Sequence, residues 1–150
     1  MGDTGLAERP VLDGYVVEDQ VGFLLRRAHQ RHAALFQEAM APVADLTPTQ
    51  FTALIKTVEL GRVTQNQLGR LAAMDPATIQ GVVRRLIARG LIRRGPDPAD
   101  RRTAVLEPTA EGMAVAARTA SCARGITDAT LAKLDGAERR QLLTLLRKLA

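Results

Sequence analysis

The chain has 150 residues, 46% hydrophobic, 25% charged and only 3% aromatic, which describes one globular domain with an aliphatic core and excludes a disordered chain or two independent cores. The 21 Lys and Arg outnumber the 16 Asp and Glu to leave +5, an excess suited to a polyanionic partner, either nucleic acid or an anionic membrane surface. A single cysteine excludes an intramolecular disulfide framework, and with no apolar run of membrane-spanning length and no signal-peptide pattern the chain is expected to be cytoplasmic, with no membrane partner.

Residues 1–16 carry Gly2, Gly5, Pro10 and Gly14 without a sustained apolar period and are expected to form a flexible arm. From Val17 to about Met40 the positions Val17, Val21, Leu24, Leu25, Ala28, Leu35, Phe36 and Ala39 recur at helical spacing, with Arg26, Arg27, Gln30 and Arg31 on a polar face. Pro42 ends that helix. In "LTPTQFTALIKTVELG", Thr47 is an N-cap and Pro48 the first helical residue; Phe51, Leu54, Ile55 and Val58 form the expected buried stripe, and Gly61 closes it.

"TQNQLGRLAAM" opens with Thr64 and Gln67 at capping-box spacing and directs Leu68, Leu71 and Ala72 inward. Asp75 and Pro76 then start another helix, whose inward stripe is Ile79, Val82, Val83, Leu86 and Ile87 and whose end is Gly90. Strand-like residues flank "GPDPADRR", so a hairpin follows, its turn bent and stiffened by Pro96, Asp97 and Pro98. Thr109 caps a long Ala-rich helix passing Cys122. Asp135 and Glu138 cap the last one, with Leu142, Leu145, Leu146 and Leu149 as its stripe.

Two short helices joined by a tight turn at Met74 to Pro76 make a helix-turn-helix. The second helix of that motif presents its outward N-terminal residues to base edges in the major groove. Here those are Ala77, Thr78, Gln80, Gly81, Arg84 and Arg85. Gln80 suits adenine, an arginine suits guanine, and Thr78 suits a thymine methyl or a phosphate. Thr64, Gln65 and Gln67, at the start of the first helix of the pair, complete the expected contact set on that side. Gly81 has two readings: a surface glycine that is merely tolerated, or a place where a nucleic-acid backbone comes close.

Residues 84–102 hold seven arginines against Asp97 and Asp100, nearly the whole positive excess. The hairpin projects Arg101 and Arg102 beyond the core, where an arginine can enter a narrow minor groove. Asp100 is expected to orient a neighbouring arginine through a charge-assisted hydrogen bond.

The stretches "LTPTQFTAL", "TQNQLGRLAAMDPATIQGVVRRLIARGLIRRGPDPADRRTAVLEPTAEG" and "ERRQLLTLLRKL" resemble the MarR family of winged-helix transcription regulators, in order and spacing, from about Val17 to Ala150. The resemblance implies a mainly α fold (an α+β winged helix). Residues 17–46 and 109–150 would form a helical dimerisation region, and 47–108 the winged helix-turn-helix. It makes Arg102 the residue inserted into the minor groove. Two departures stand out: Gly81 occupies a position where many relatives carry a polar or basic residue, and Pro108 replaces the usual leucine before the capping threonine.

A homodimer also follows physically, because one recognition helix reads only a few base pairs and a symmetric pair reads both halves of a palindromic operator in double-stranded DNA. The resemblance further implies release from DNA by a small aromatic acid effector. The stretch "VGFLLRRAHQRHAALF" resembles the first helix of regulators of aromatic-acid catabolism. Arg26 or Arg27 would take the carboxylate, His29 a ring hydroxyl or nitrogen, and Phe36 and Phe51 would wall the pocket. The competing reading of each is a surface arginine, a polar interface histidine or a core phenylalanine.

His29 and His32 stand at a spacing that can share a metal, but no cysteine is near them, so no metal site or cofactor is expected. Cys122 reads either as a thiol switch or as a small packed residue. The alternatives to a ligand-released repressor are an architectural DNA-binding protein without effector and a metal- or redox-responsive regulator. Nothing in the chain supplies an enzyme's nucleophile elbow, phosphate loop or carboxylate–histidine cluster.

Overall fold

A computed structural model describes residues 13–150 of the chain; the expected arm therefore falls outside the described residues except for its last four positions. A 3₁₀ turn, Val17–Asp19, is followed by α1 (Val21–Met40), α2 (Pro48–Leu60), α3 (Gln65–Leu71), α4 (Pro76–Ala88), β1 (Ile92–Pro96), β2 (Ala104–Pro108), α5 (Ala110–Thr130) and α6 (Gly136–Leu149). The fold is mainly α, with one two-stranded sheet.

The first helix starts four residues later than its apolar spacing predicts. Gln20 is extended at ψ 138° and breaks the chain between the 3₁₀ turn and α1. Its side-chain amide donates to the Val16 carbonyl at 2.9 Å, which fixes that break. An i, i+4 pair such as Val17 and Val21 fits either geometry, so spacing alone could not show it.

Helix starts follow local capping chemistry. Thr47, Thr64, Asp75, Thr109 and Asp135 each accept a hydrogen bond from a backbone N–H of the first turn. Thr47 with Gln50, and Asp135 with Glu138, close full capping boxes. At Thr64 only half of the expected box forms: its hydroxyl accepts from the Gln67 N–H at 3.2 Å, and the Gln67 side chain does not reach back.

The core joins Phe36 and Met40 of α1, Ala53 and Leu54 of α2, Leu68, Ile79, Val83 and Leu86 of the helix pair, Leu91, Ile92 and Leu106 of the hairpin, and Val115, Ala116 and Ile126 of α5. Three expected stripes shift. In α2 the fully buried positions are Ala53, Leu54 and Thr57, while Phe51, Ile55 and Val58 are only half-buried. Small residues at 53 and 57 leave room for close packing, and Thr57 is tolerated there because its hydroxyl donates to the Ala53 carbonyl at 2.8 Å.

Leu71 and Ile87 are exposed rather than inward. The inner face of the two-turn α3 is instead Leu68 and Gly69. A Cβ at Gly69 would lie 3.2 Å from Ile79 Cγ2 and 3.3 Å from the Met74 carbonyl oxygen, so α3 and α4 pack tightly at this position.

The hairpin strands pair antiparallel, from Ile92 with Pro108 to Pro96 with Ala104. Pro96 is thus the last rung of the ladder rather than part of the turn, which spans residues 97–103. Val63 adds a bridge on the outer side of β2, exchanging hydrogen bonds with Leu106 of 3.1 and 2.7 Å. Glu107 seals the same junction, pairing with Arg62 at 2.8 Å and Arg93 at 2.9 Å.

The α5 N-terminus crosses the end of the hairpin at Gly112, where a Cβ would stand 1.9 Å from the Leu91 carbonyl oxygen. Only glycine fits that crossing.

α1 packs along α5, whereas α6 barely touches the other described residues and buries none of its own. Val17, Val21, Leu24 and Leu25 at one terminus and Leu145, Leu146 and Leu149 at the other are exposed in the single chain.

Candidate nucleic-acid interface and effector cavity

Asp75 sets the geometry of the recognition helix. Its Oδ1 accepts from the Thr78 N–H at 2.8 Å and its Oδ2 from the Thr78 hydroxyl at 2.7 Å. These bonds hold the Asp75 carboxyl below its ordinary range. They also use the one hydroxyl hydrogen of Thr78, leaving its oxygen as an acceptor and its methyl as the apolar contact it offers outward.

Ala77, Gln80 and Arg84 are exposed on α4 at the spacing of one helical face, with Gly81 beside them. A Cβ at Gly81 would meet only Arg85 Nη1, at 3.8 Å, so packing within the chain does not require glycine there. Arg85 lies on another flank, over a depression it shares with Asp45, Thr47, Gln50 and Arg89.

Gln65, Gln80, Arg84, Ile87 and Arg94 line one shallow groove between the helix pair and the hairpin. Ile87 and Arg94 are its unforeseen members, and the polar one is Arg94. Its Nη2 donates to Gln65 Oε1 at 2.7 Å. Strand alternation is the signal that would have found it: of the adjacent arginines, Arg93 goes to Glu107 and Arg94 to the opposite face.

At the wing tip Asp100 corrects an expectation. It holds no arginine side chain; Oδ1 accepts from the Arg102 backbone N–H at 3.1 Å and Oδ2 from the Thr103 hydroxyl at 2.9 Å. A carboxylate two or three residues before a turn's donors folds back onto them more readily than it reaches a long solvated side chain. Asp97 does the same for Ala99, at 2.9 Å. Arg101 and Arg102 are exposed, and among the described residues neither forms an ion pair.

A separate cavity of about 230 Å³ opens where α1, α2 and α5 meet, lined by His32, Phe36, Pro48, Phe51, Thr52, Ala123, Ile126 and Thr127. Phe36 and Phe51 do wall it, edge to face with centroids 5.8 Å apart. Its histidine is His32 rather than His29. His29 precedes Phe36 by seven residues, which keeps it near the same face but about 10 Å further along the axis. Arg26, Arg27 and His29 are exposed and outside the wall of this chain's cavity. Arg27 instead lies 6.0 Å over the Phe23 ring.

The Cys122 thiol donates to the Ala39 carbonyl at 3.2 Å and is half-buried between α5 and α1. Among the described residues no group of three or more His, Cys, Asp or Glu is assembled that could hold a metal. No helix among them is long and apolar enough to cross a membrane.

A capped helix pair with a polar, basic outward face, backed by an arginine-tipped hairpin, defines a winged helix-turn-helix DNA-binding protein. The chain belongs to the MarR family, whose profile matches residues 44–103, and it is a DNA-binding transcription regulator. It is 43% identical to the HTH-type transcriptional repressor NicR of Pseudomonas putida, over 90% of this chain and 85% of that one.

Among solved structures, a probable transcriptional regulator from Pseudomonas aeruginosa is similar at a TM-score of 0.86 and 46% identity, over 90% of this chain and 100% of that one. BpsR of Bordetella bronchiseptica, whose DNA binding is regulated by 6-hydroxynicotinic acid, is similar at 0.85 and 40%, over 90% and 96%.

Proposed function

We propose that the chain acts in the cytoplasm as a homodimeric repressor of a palindromic operator and leaves it when a small aromatic acid fills the cavity of α1, α2 and α5. The observation that carries this reading is the position of the cavity. Its walls come from the two helices flanking the DNA-reading unit and from the first helix inside that unit. A ligand wedged there acts directly on how the two parts sit together. It releases DNA if it binds the DNA-incompetent arrangement more tightly.

At about 230 Å³ the cavity is smaller than the roughly 300–1,000 Å³ typical of drug-sized ligands, which favours a single ring. The regulation of BpsR by 6-hydroxynicotinic acid points to the same ligand class. Among the described residues the walls hold no Lys or Arg, so Arg26 and Arg27, one to two turns up α1, are the candidates for the carboxylate, with His29 beside them. The exposed apolar residues of the 3₁₀ turn, α1 and α6 supply the surface for a second copy.

The test is fluorescence anisotropy on a duplex from the promoter region adjoining the gene, titrated with 6-hydroxynicotinate and a panel of hydroxybenzoates. Tight binding to the duplex and release by at least one acid are expected. Binding that no acid in the panel reverses would sink the effector half and favour an architectural role.

A further inference from the structure

Gln50 is only 8% exposed, yet its side-chain amide is half used. The Thr47 backbone N–H donates to one of the two amide atoms at 3.3 Å. A backbone N–H can only donate, so that atom is Oε1 and the other is the Nε2 donor. Among the described residues Nε2 has no hydrogen-bond partner, and it is not sealed from solvent. Gln50 lines a depression with Asp45, Thr47, Arg85, Ala88 and Arg89, and there the unused donor is available.

Two guanidinium groups share that depression. Arg89 donates through Nη1 to the Asp45 carbonyl, which holds it against the connection between α1 and α2. Arg85 forms no ion pair among the described residues. Its Nη1 reaches back to 3.8 Å from where a Gly81 Cβ would stand, beside the outward row of α4. Against these two charges the lining residues set one carboxylate, that of Asp45, which pairs with neither arginine. Thr47 and Gln50 are the N-cap and third helical position of α2, so the positive end of that helix lies at the same opening.

A fixed amide donor, two guanidinium groups and a helix N-terminus around one opening suit a tetrahedral oxyanion. We infer that the depression seats a phosphate, and that this phosphate belongs to a DNA backbone rather than to a free ion. A helix with its side chains is about 10–12 Å across and the major groove about 12 Å wide, so a helix lying there meets a phosphate row along each flank. Gln80, Arg84 and Arg94 share the groove on one flank of α4, and Arg85 leads from the reading row to the other. The seat is a property of the protein alone, whereas its occupant rests on the chain's binding of an operator duplex.

Two measurements test seat and occupant separately. In ¹⁵N-labelled protein the Gln50 side-chain amide, assigned by its absence from Gln50→Glu, should shift as inorganic phosphate replaces chloride at constant ionic strength. The shift should vanish in Arg85→Gln. A Gln50 amide that phosphate never moves overturns the seat. The occupant is tested with duplexes carrying one neutral methylphosphonate at each backbone position in turn. At one position the wild type should lose about tenfold in affinity while Arg85→Gln loses nothing further. Gln50→Glu keeps an oxygen for the Thr47 N–H, so its urea midpoint should stay near that of the wild type while duplex affinity falls about tenfold. If no position couples to Arg85, or Gln50→Glu binds the duplex as the wild type does, the backbone assignment is overturned. If the wild type binds no duplex at all, the DNA occupant falls with the operator reading, and the phosphate titration still decides the seat.

Discussion

Arg94 on the wing strand donates to Gln65 at the first turn of α3, at 2.7 Å, and so ties the two halves of the candidate DNA-reading surface together. The pair sits in the groove that also holds Gln80 and Arg84. Arg94→Ala should weaken operator binding and reduce the salt slope by about one, the signature of a lost phosphate contact. Gln65→Ala should weaken binding with the slope intact, because the guanidinium remains but is no longer held. Anisotropy at several salt concentrations separates the two, and an unchanged slope in Arg94→Ala removes the phosphate assignment.

Arg102 follows Asp100 in a turn whose backbone that aspartate fastens. Arg102→Ala should lower operator affinity by about 1–3 kcal/mol and flatten its salt dependence. Asp100→Ala keeps both guanidinium groups but frees the turn, so it should lower affinity less. Equal affinity for wild type and Arg102→Ala would mean that the wing does not grip the duplex.

Gly81 has open space where its Cβ would be. Gly81→Ala should therefore raise the free energy of unfolding in urea by roughly 1 kcal/mol, the usual gain in an exposed helix. If the glycine is there to let a DNA backbone approach, the same variant should bind the operator more weakly. A stabilised variant with full affinity would make Gly81 a tolerated surface residue.

Glu107 lies between Arg62 and Arg93. The Arg62 hydrogen bond, ahead of the charge of Arg93, holds its carboxyl below the ordinary glutamate value of 4.5. A pKa depressed in the folded state stabilises the protein at pH above 4.5 and loses that contribution as pH falls through the depressed value. Melting curves from neutral to acid pH should show this loss in the wild type and a flatter acid limb in Glu107→Gln. Identical acid limbs would mean that the Arg62–Glu107–Arg93 junction does not contribute to stability.

What could be read from the sequence was what neighbours along the chain decide. The caps at Thr47, Thr64, Asp75, Thr109 and Asp135 act within three residues, and each was visible before the fold was known. The outward row of α4 followed from helical period alone. Features that depend on distant partners were not legible. Gly112 is dictated by the Leu91 carbonyl, twenty-one positions earlier, and nothing beside it in the chain signals that crossing.

The cavity divides along the same line. Phe36 and Phe51 were visible as large apolar residues, whereas the choice of His32 over His29 depends on where along α1 the walls from α2 and α5 meet it. Arg94 looked like one more charge in a basic run until the strand set it facing Gln65.

The sparse contacts between α6 and the other described residues bear on how such a molecule comes apart. A helix whose leucines Leu145, Leu146 and Leu149 face water in one copy gains its footing only in company. In the homodimer proposed above, folding and association become one equilibrium, and dilution alone lowers the melting temperature. A protomer parted from its mate would be a sticky, short-lived species, and the cell's supply of intact regulator would scale more steeply than its rate of synthesis.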